Sequence, residues 1–523
     1  MSPEGRRLAP GAMSIACVYW LAVAAVQAAP EANYQEPFRP QYHFTPPTGW
    51  MGDPSALVYE HGRYHLFYWG HAVSRDLLHW QIWPRVLQST DEVATMSGSA
   101  VVDEADTSDF GIGRTAPWVA VYSALQRTDR RQTQDIAFSN DGGRTFTRFP
   151  GNPVIDIGST EFRDPQVFWY GPGRRWEMVV ALAADHAVRF YSSRDLKVWT
   201  LQSEFGPGGD ADGVNTDGVW ECPDLIPLSI DGGRRSAWLL KVDLQPTGAR
   251  YFIGEFDGSR FRSGPATTAR RVDFGDDFYA ARSWHGEPDR DGRRIWIGWM
   301  NNWRYARDVP TAPWKGMQSI PRELSLRSTP AAPAALALVQ SPIRELRRLR
   351  GHHWHWNGME LRPDGHVALA ARGVELEIQA DFERGTASEF GLAVRKGAGA
   401  GGAEQTLLGY DSAAAAVFVD RSHSGRSDFN ATFAARHEAP LALRHGRVRL
   451  RAFVDASSVE TFWDDGVAVI SDQIFPAAGS DAIAPYAVGG TARLVGLDVW
   501  QLKSTTPPKD SMSADVRAAG SPE

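Results

Sequence analysis

The chain has 523 residues, enough for two to four domains and a large buried interior. Its formal net charge of −7 gives no attraction to nucleic acid or to an anionic membrane surface, so a neutral partner fits better. With 50 Gly, 33 Pro and 43% hydrophobic residues the composition favours a strand-rich, turn-rich protein over a helical one, and its 20 Trp offer flat faces of the kind that stack on sugar rings.

At the N-terminus Arg6 and Arg7 precede an apolar run over residues 12–26 and then Ala28-Ala29, the pattern of an export signal over residues 1–29. The expected location is secreted or periplasmic. The run is too short for a spanning helix and no later one reaches about 18 apolar residues, so no membrane span is expected. Cys17 lies in this leader, which leaves Cys222 without an intramolecular disulfide partner.

From residue 34 one turn signature recurs. Ser74-Arg75-Asp76, Ser139-Asn140-Asp141, Ser193-Arg194-Asp195 and Asp257-Gly258-Ser259 follow one another about 60 residues apart, each between alternating strand-like segments. Radial repetition with this period predicts an all-β fold: a five-bladed β-propeller over residues 34–328, with inner strands starting at Asp53, Ser99, Asp164, Glu221 and Tyr279. An Ala/Pro-rich stretch at 329–345 reads as a linker. Period-two segments such as Val374-Glu375-Leu376-Glu377-Ile378 then predict a C-terminal β-sandwich over 346–503, followed by a disordered tail at 504–523.

Three acids sit in short motifs next to proline: Trp50-Met51-Gly52-Asp53-Pro54, Phe162-Arg163-Asp164-Pro165 and Trp220-Glu221-Cys222-Pro223. A residue before proline is biased towards extended backbone, which suits the start of a strand. Repetition would bring the three to one end of the propeller channel. Glycoside cleavage needs one carboxyl to protonate the leaving oxygen and a second to attack the anomeric carbon or activate water, and Asp53 with Glu221 is the best such pair.

These motifs resemble the three signature motifs of the family-32 glycoside hydrolases, the invertase, inulinase and levanase group. Ser97-Gly98-Ser99-Ala100, Asp276-Asp277-Phe278-Tyr279-Ala280, Gly298-Trp299-Met300-Asn301-Asn302 and Val454-Asp455-Ala456-Ser457 add to the likeness, which spans residues 40–502. The resemblance implies that Asp53 is the nucleophile, Glu221 the acid/base, and that Asp164 with Arg163 grips fructosyl hydroxyls. Trp50, Ser99, Cys222, Tyr279 and Trp299 are the accompanying candidates for substrate contact. It implies terminal fructose release from levan, inulin or sucrose, with a carbohydrate as the partner and no metal or organic cofactor. Two departures stand out. Gly52 replaces the usual Asn, and Tyr68 runs directly into Trp69-Gly70-His71, where the family normally inserts about a dozen residues. A different glycoside, such as arabinan or xylan, and a non-catalytic glycan-binding propeller using Trp50, Trp220 and Trp299 therefore stay open, as does the oligomeric state. The cluster His352-His353-Trp354-His355 reads as a solvated strand, since adjacent strand residues face opposite ways. Cys222 reads as a packing thiol, and Asn430-Ala431-Thr432 matches a glycosylation acceptor.

Overall fold

The computed structural model describes residues 34–506 apart from 208–217, 247, 265–268, 285–291, 330–331, 366 and 368. The export signal lies outside these residues. Among them, five consecutive antiparallel sheets form the blades of a propeller. Their first and last strands are Ser55–Glu60 to Trp80–Trp83 in blade I, Val93–Val102 to Thr147–Arg148 in blade II and Phe162–Tyr170 to Thr200–Phe205 in blade III. Blade IV runs from Val219–Ser229 to Phe261–Ser263 with a short extra strand, Arg270–Arg271, and blade V from Tyr279–Ser283 to Ala332–Pro342. A short parallel pair, Gly49–Trp50 with Trp314–Lys315, ties the entry of blade I to blade V. The N–H of Gln318 adds a bond to the Phe44 carbonyl, and the Trp284 indole donates to the His65 carbonyl at 3.1 Å.

The repeated turn signature is the hairpin before the outer strand of blades I to IV. In each, one aspartate side chain accepts two successive backbone N–H groups two to four residues on: Asp76 from Leu78 and His79, Asp141 from Arg144 and Thr145, Asp195 from Lys197 and Val198, Asp257 from Ser259 and Arg260. This is local Asx chemistry, so it repeats wherever the hairpin does.

The supposed linker is a correction. Ala332–Pro342 is a strand, paired antiparallel with Arg322–Thr329 as the outer strand of blade V. Proline is tolerated there because an outer strand needs N–H donors on one side only. The sandwich follows directly, with a six-stranded sheet facing a five-stranded one over a core that includes Ile378, Phe390, Leu408, Leu450 and Trp463. Ser504 and Thr505, placed in the disordered tail by the sequence, bond to the Gln41 carbonyl, and residues 507–523 lie outside the described set.

The two domains meet across buried charge. His43 is held between Asp455 (2.8 Å) and Glu460 (2.9 Å), and Arg322 reaches Glu460, Asp273 and Ser471. A second cluster joins Arg421 of the sandwich to Asp277 (2.6 Å) and the Tyr305 hydroxyl (2.9 Å) of the propeller.

Candidate active site

The inner strand of every blade breaks register near its start, at Ser55/Val58, Thr95/Gly98, Arg163/Gln166, Glu221/Asp224 and Tyr279/Arg282. In four of them the bulged residue has a left-handed φ: Ala56 (24°), Asp164 (65°), Cys222 (49°) and Ala280 (53°). Asp164 and Cys222 therefore depart from the extended conformation expected before proline. Equivalent positions are thus Ser55, Thr95, Arg163, Glu221 and Tyr279. This shifts the expected register by two residues at Asp53, four at Ser99 and one at Asp164. A bulge re-aims the side chains beside it and frees carbonyls from the ladder. Buried cations take those carbonyls: Arg282 donates to Asp164 O (3.0 Å) and Pro223 O (2.6 Å), and Lys241 donates to Cys222 O (2.7 Å) while paired with Asp243. Sequence reading missed Arg282, Lys241 and Asp243, whose only signal was a charge inside an otherwise apolar strand.

The re-aimed side chains from blades III, IV and V meet. Glu221 Oε1 accepts from Arg163 Nε (3.0 Å) and Nη2 (2.9 Å), and Oε2 accepts from the Tyr279 hydroxyl (2.5 Å). Burial, then Glu221, pushes the Tyr279 phenol far above its ordinary value, so it remains a donor. The Asp164 N–H donates to Ser123 Oγ (2.8 Å), and its Oδ2 accepts from the Cys222 N–H (3.0 Å) and thiol (3.5 Å). Burial, then Asp164 and Asp53, raises the Cys222 thiol well above its normal range, which leaves it a donor and not a thiolate.

Asp53 enters from blade I. Gln318 holds the Gly52 carbonyl (2.9 Å), Ser97 donates to Asp53 Oδ2 (3.2 Å), and the buried Oδ1 accepts no hydrogen bond from the described residues. Burial, then Asp164 and Glu221, pushes the Asp53 carboxyl up to about 8. Burial and then Asp164 also raise Glu221, against the pull of Arg163 and Tyr279. With the Asp53 carboxyl held at about 8 by burial and its two acidic neighbours, the cluster keeps a proton at neutral pH.

The remaining sequence candidates divide. Trp50 is half-buried, its ring stacked on Trp303 at 6.0 Å and tilted to Trp299 at 5.8 Å. Trp299 and Trp220 are both 0% exposed and belong to the packing behind the site, so neither offers a face to a ligand. Ser99 is buried with its hydroxyl accepting from the Val167 N–H (2.9 Å), a bond between blades II and III. An aromatic that the sequence reading did not single out takes a more exposed place. Trp69 is 38% exposed, has φ 68°, and its ring lies 2.8 Å from where a Cβ on Gly52 would stand. With Ser55, Arg85, Thr95, Met96, Tyr122 and Phe146 it lines a cavity between blades I and II.

Comparison with known proteins shows the family. The glycosyl hydrolases family 32 N-terminal domain matches residues 43–342 and the family's C-terminal domain matches 344–501. A levanase of Bacillus subtilis (strain 168) is 43% identical, covering 93% of this chain and 74% of its own length. An extracellular exo-inulinase of Aspergillus awamori is 36% identical over 90% of this chain and 96% of its own. The crystal structure of the A. awamori exo-inulinase superposes with a TM-score of 0.84 at 35% identity, covering 91% of this chain and 100% of that one. No helix of the described residues is long and apolar enough to cross a membrane. With the acids brought together on bulged inner strands and both domains matched, the chain belongs to the family-32 glycosyl hydrolases and is a glycosidase.

Proposed function

We propose that the protein is an exported retaining glycosidase that releases terminal fructose from levan, inulin or sucrose. The observation that carries this reading is the asymmetry of the two acids. Glu221 is oriented by Arg163 and Tyr279, whereas one Asp53 oxygen has no donor among the described residues.

Protonated Glu221 gives its proton to the glycosidic oxygen while the Asp53 carboxylate attacks the anomeric carbon, so the C–O bond breaks and a fructosyl ester forms. The leaving sugar departs as an alcohol. Glu221, now a carboxylate, takes a proton from water, the resulting hydroxide displaces Asp53, and fructose leaves with its configuration retained. The cycle needs the shared proton on Glu221 and the charge on Asp53. Sugar hydroxyls that donate to Asp53 stabilise its carboxylate and move the proton the required way. Asp164, with Arg163 beside it, is suited to accept from ring hydroxyls and to oppose the positive charge that develops at the anomeric carbon.

The levanase and exo-inulinase names of the relatives support fructan as substrate, and Arg6-Arg7 ahead of the apolar run supports export. The alternative of a glycan-binding propeller loses two of its three aromatic contacts, because Trp220 and Trp299 are enclosed. Product analysis on sucrose, inulin and levan, with arabinan and xylan as controls, tests the proposal. Free fructose from wild type, none from Asp53→Asn, and an initial product of unchanged anomeric configuration by NMR are expected. Inversion, or no fructose from any of the three, would overturn it.

A further inference from the structure

Strand Arg350–Leu361 is the edge of the six-stranded sheet of the sandwich and pairs with Ala492–Leu502, which sets His353 opposite Trp500 and His355 opposite Asp498. His352 and His353 face opposite ways, but His353 and His355 are two residues apart and share the outer face. His353 Nε2 and His355 Nδ1 each lie 2.8 Å from the same oxygen, Asp498 Oδ1. These three atoms all fall within 4.8 Å of one another. The Trp500 indole lies flat on the His353 ring, at 4.6 Å and 4°, and the Arg350 guanidinium covers Trp500 at 3.7 Å while Glu377 holds Arg350 at 2.6 and 2.7 Å. One imidazole is thereby kept in place by a stack anchored in the sheet.

We propose that His353, His355 and Asp498 form a binding site for a borderline divalent transition metal, of which Zn²⁺ is the representative. Two imidazoles and one carboxylate are the donor set such ions prefer over Mg²⁺ or Ca²⁺, which favour oxygen alone. A tetrahedral ion with bonds of about 2.0–2.1 Å requires donors roughly 3.3–3.4 Å apart. The His–Asp separations must open slightly and the two imidazole nitrogens draw together, movements that exposed side chains make by small rotations. The His353 and His355 side chains are 42% and 46% exposed, so the fourth position opens to solvent and accepts water or an external ligand. The ion displaces the protons that now bridge imidazole and carboxylate, as metal binding to histidine generally does. The site stands on the sandwich and uses none of the acids assigned to glycoside cleavage.

The competing account is a hydrogen-bonded surface trio that binds no ion. Full-length protein, stripped with chelator, would be titrated with Zn²⁺ by calorimetry, with Mg²⁺ as a control. One ion per chain is expected, with affinity weakened at least about tenfold in His353→Ala, His355→Ala and Asp498→Asn. Fructose release by the three variants should equal that of wild type, which shows that they are folded. Anomalous scattering from a Zn²⁺-soaked crystal should place the ion between the three side chains. No saturable heat with Zn²⁺, or equal affinity in the variants, overturns the proposal.

Discussion

Asp53 and Glu221 are chemically similar acids with different surroundings, and the difference predicts how their variants behave. Glu221 is needed mainly where the leaving oxygen requires a proton. With sucrose, Glu221→Gln should lower kcat/KM by about 10²–10⁴. With an activated fructoside, whose leaving group departs without protonation, the loss should be far smaller. Asp53→Asn should be impaired on both, because the ester cannot form. Equal losses for the two variants on both substrates would refute the division of roles. A second residue-scale prediction concerns Gly52. Its Cβ position is 2.8 Å from the Trp69 ring, so Gly52→Ala displaces that ring from the cavity wall between blades I and II at about 1–3 kcal/mol. The expected result is a raised KM, with Trp69→Ala in the same molecule relieving the clash. The double variant should therefore be less impaired than the sum of the two single ones. Strict additivity would mean that Trp69 and Gly52 do not act together. Any side chain at position 52 would meet the same ring.

The inner strands set the acids by bulging. Left-handed φ at Asp164, Cys222 and Ala280 is strained for residues with a Cβ, at on the order of 1–3 kcal/mol each. Arg282 helps hold two of these bulges by binding the carbonyls of Asp164 and Pro223. Arg282→Met should leave both carbonyls without a donor, at about 1–3 kcal/mol apiece. The urea midpoint should fall. Under conditions where the variant is still folded, kcat should also fall, since Asp164 and Glu221 lose their aim. A variant that is less stable but has wild-type kcat would show that the bulges hold without Arg282. These bulges explain what could be read in the sequence and what could not. The hairpin signature was legible because Asp76, Asp141, Asp195 and Asp257 cap their own turns, and local chemistry repeats with the blade. The acids were legible through their motifs. The bulge register was not, because tertiary hydrogen bonds from Arg282 and Lys241 impose a conformation that Asp164 and Cys222 would not choose alone. Ala332–Pro342 was misread for a related reason: its composition is that of a linker, and only pairing with Arg322–Thr329 makes it a strand. Trp220 and Trp299 carry no local sign that distinguishes a buried indole from one facing a sugar.

At the scale of the whole molecule, histidines at two places give stability opposite pH dependences. Burial alone would lower His43, but its hydrogen bonds to Asp455 and Glu460 outweigh that and raise it to about 9. A group raised in the fold stabilises fully below its unfolded value of about 6.5, and the contribution disappears as pH rises through 9. The shift corresponds to on the order of 3 kcal/mol at the domain junction. His65 and His71 lie in blade I, 3.1 Å apart among Phe67, Trp83 and Trp118. Burial first, and then neighbouring charges, lowers them to about 4 and 3. They fold neutral, so stability is lost as pH falls below about 6.5 and the unfolded chain gains protons that the native one refuses. Opposed limbs should place the maximum near the ordinary histidine range. Urea unfolding between pH 4 and 10 tests this most directly in His43→Gln, which keeps a donor but cannot carry charge. The variant should be markedly less stable than wild type near pH 6, with the gap closing by pH 9.5, while the acid limb from His65 and His71 stays unchanged. A gap of constant size across that range would show that His43 contributes through packing and hydrogen bonding alone, and that charge between the domains does not set their stability.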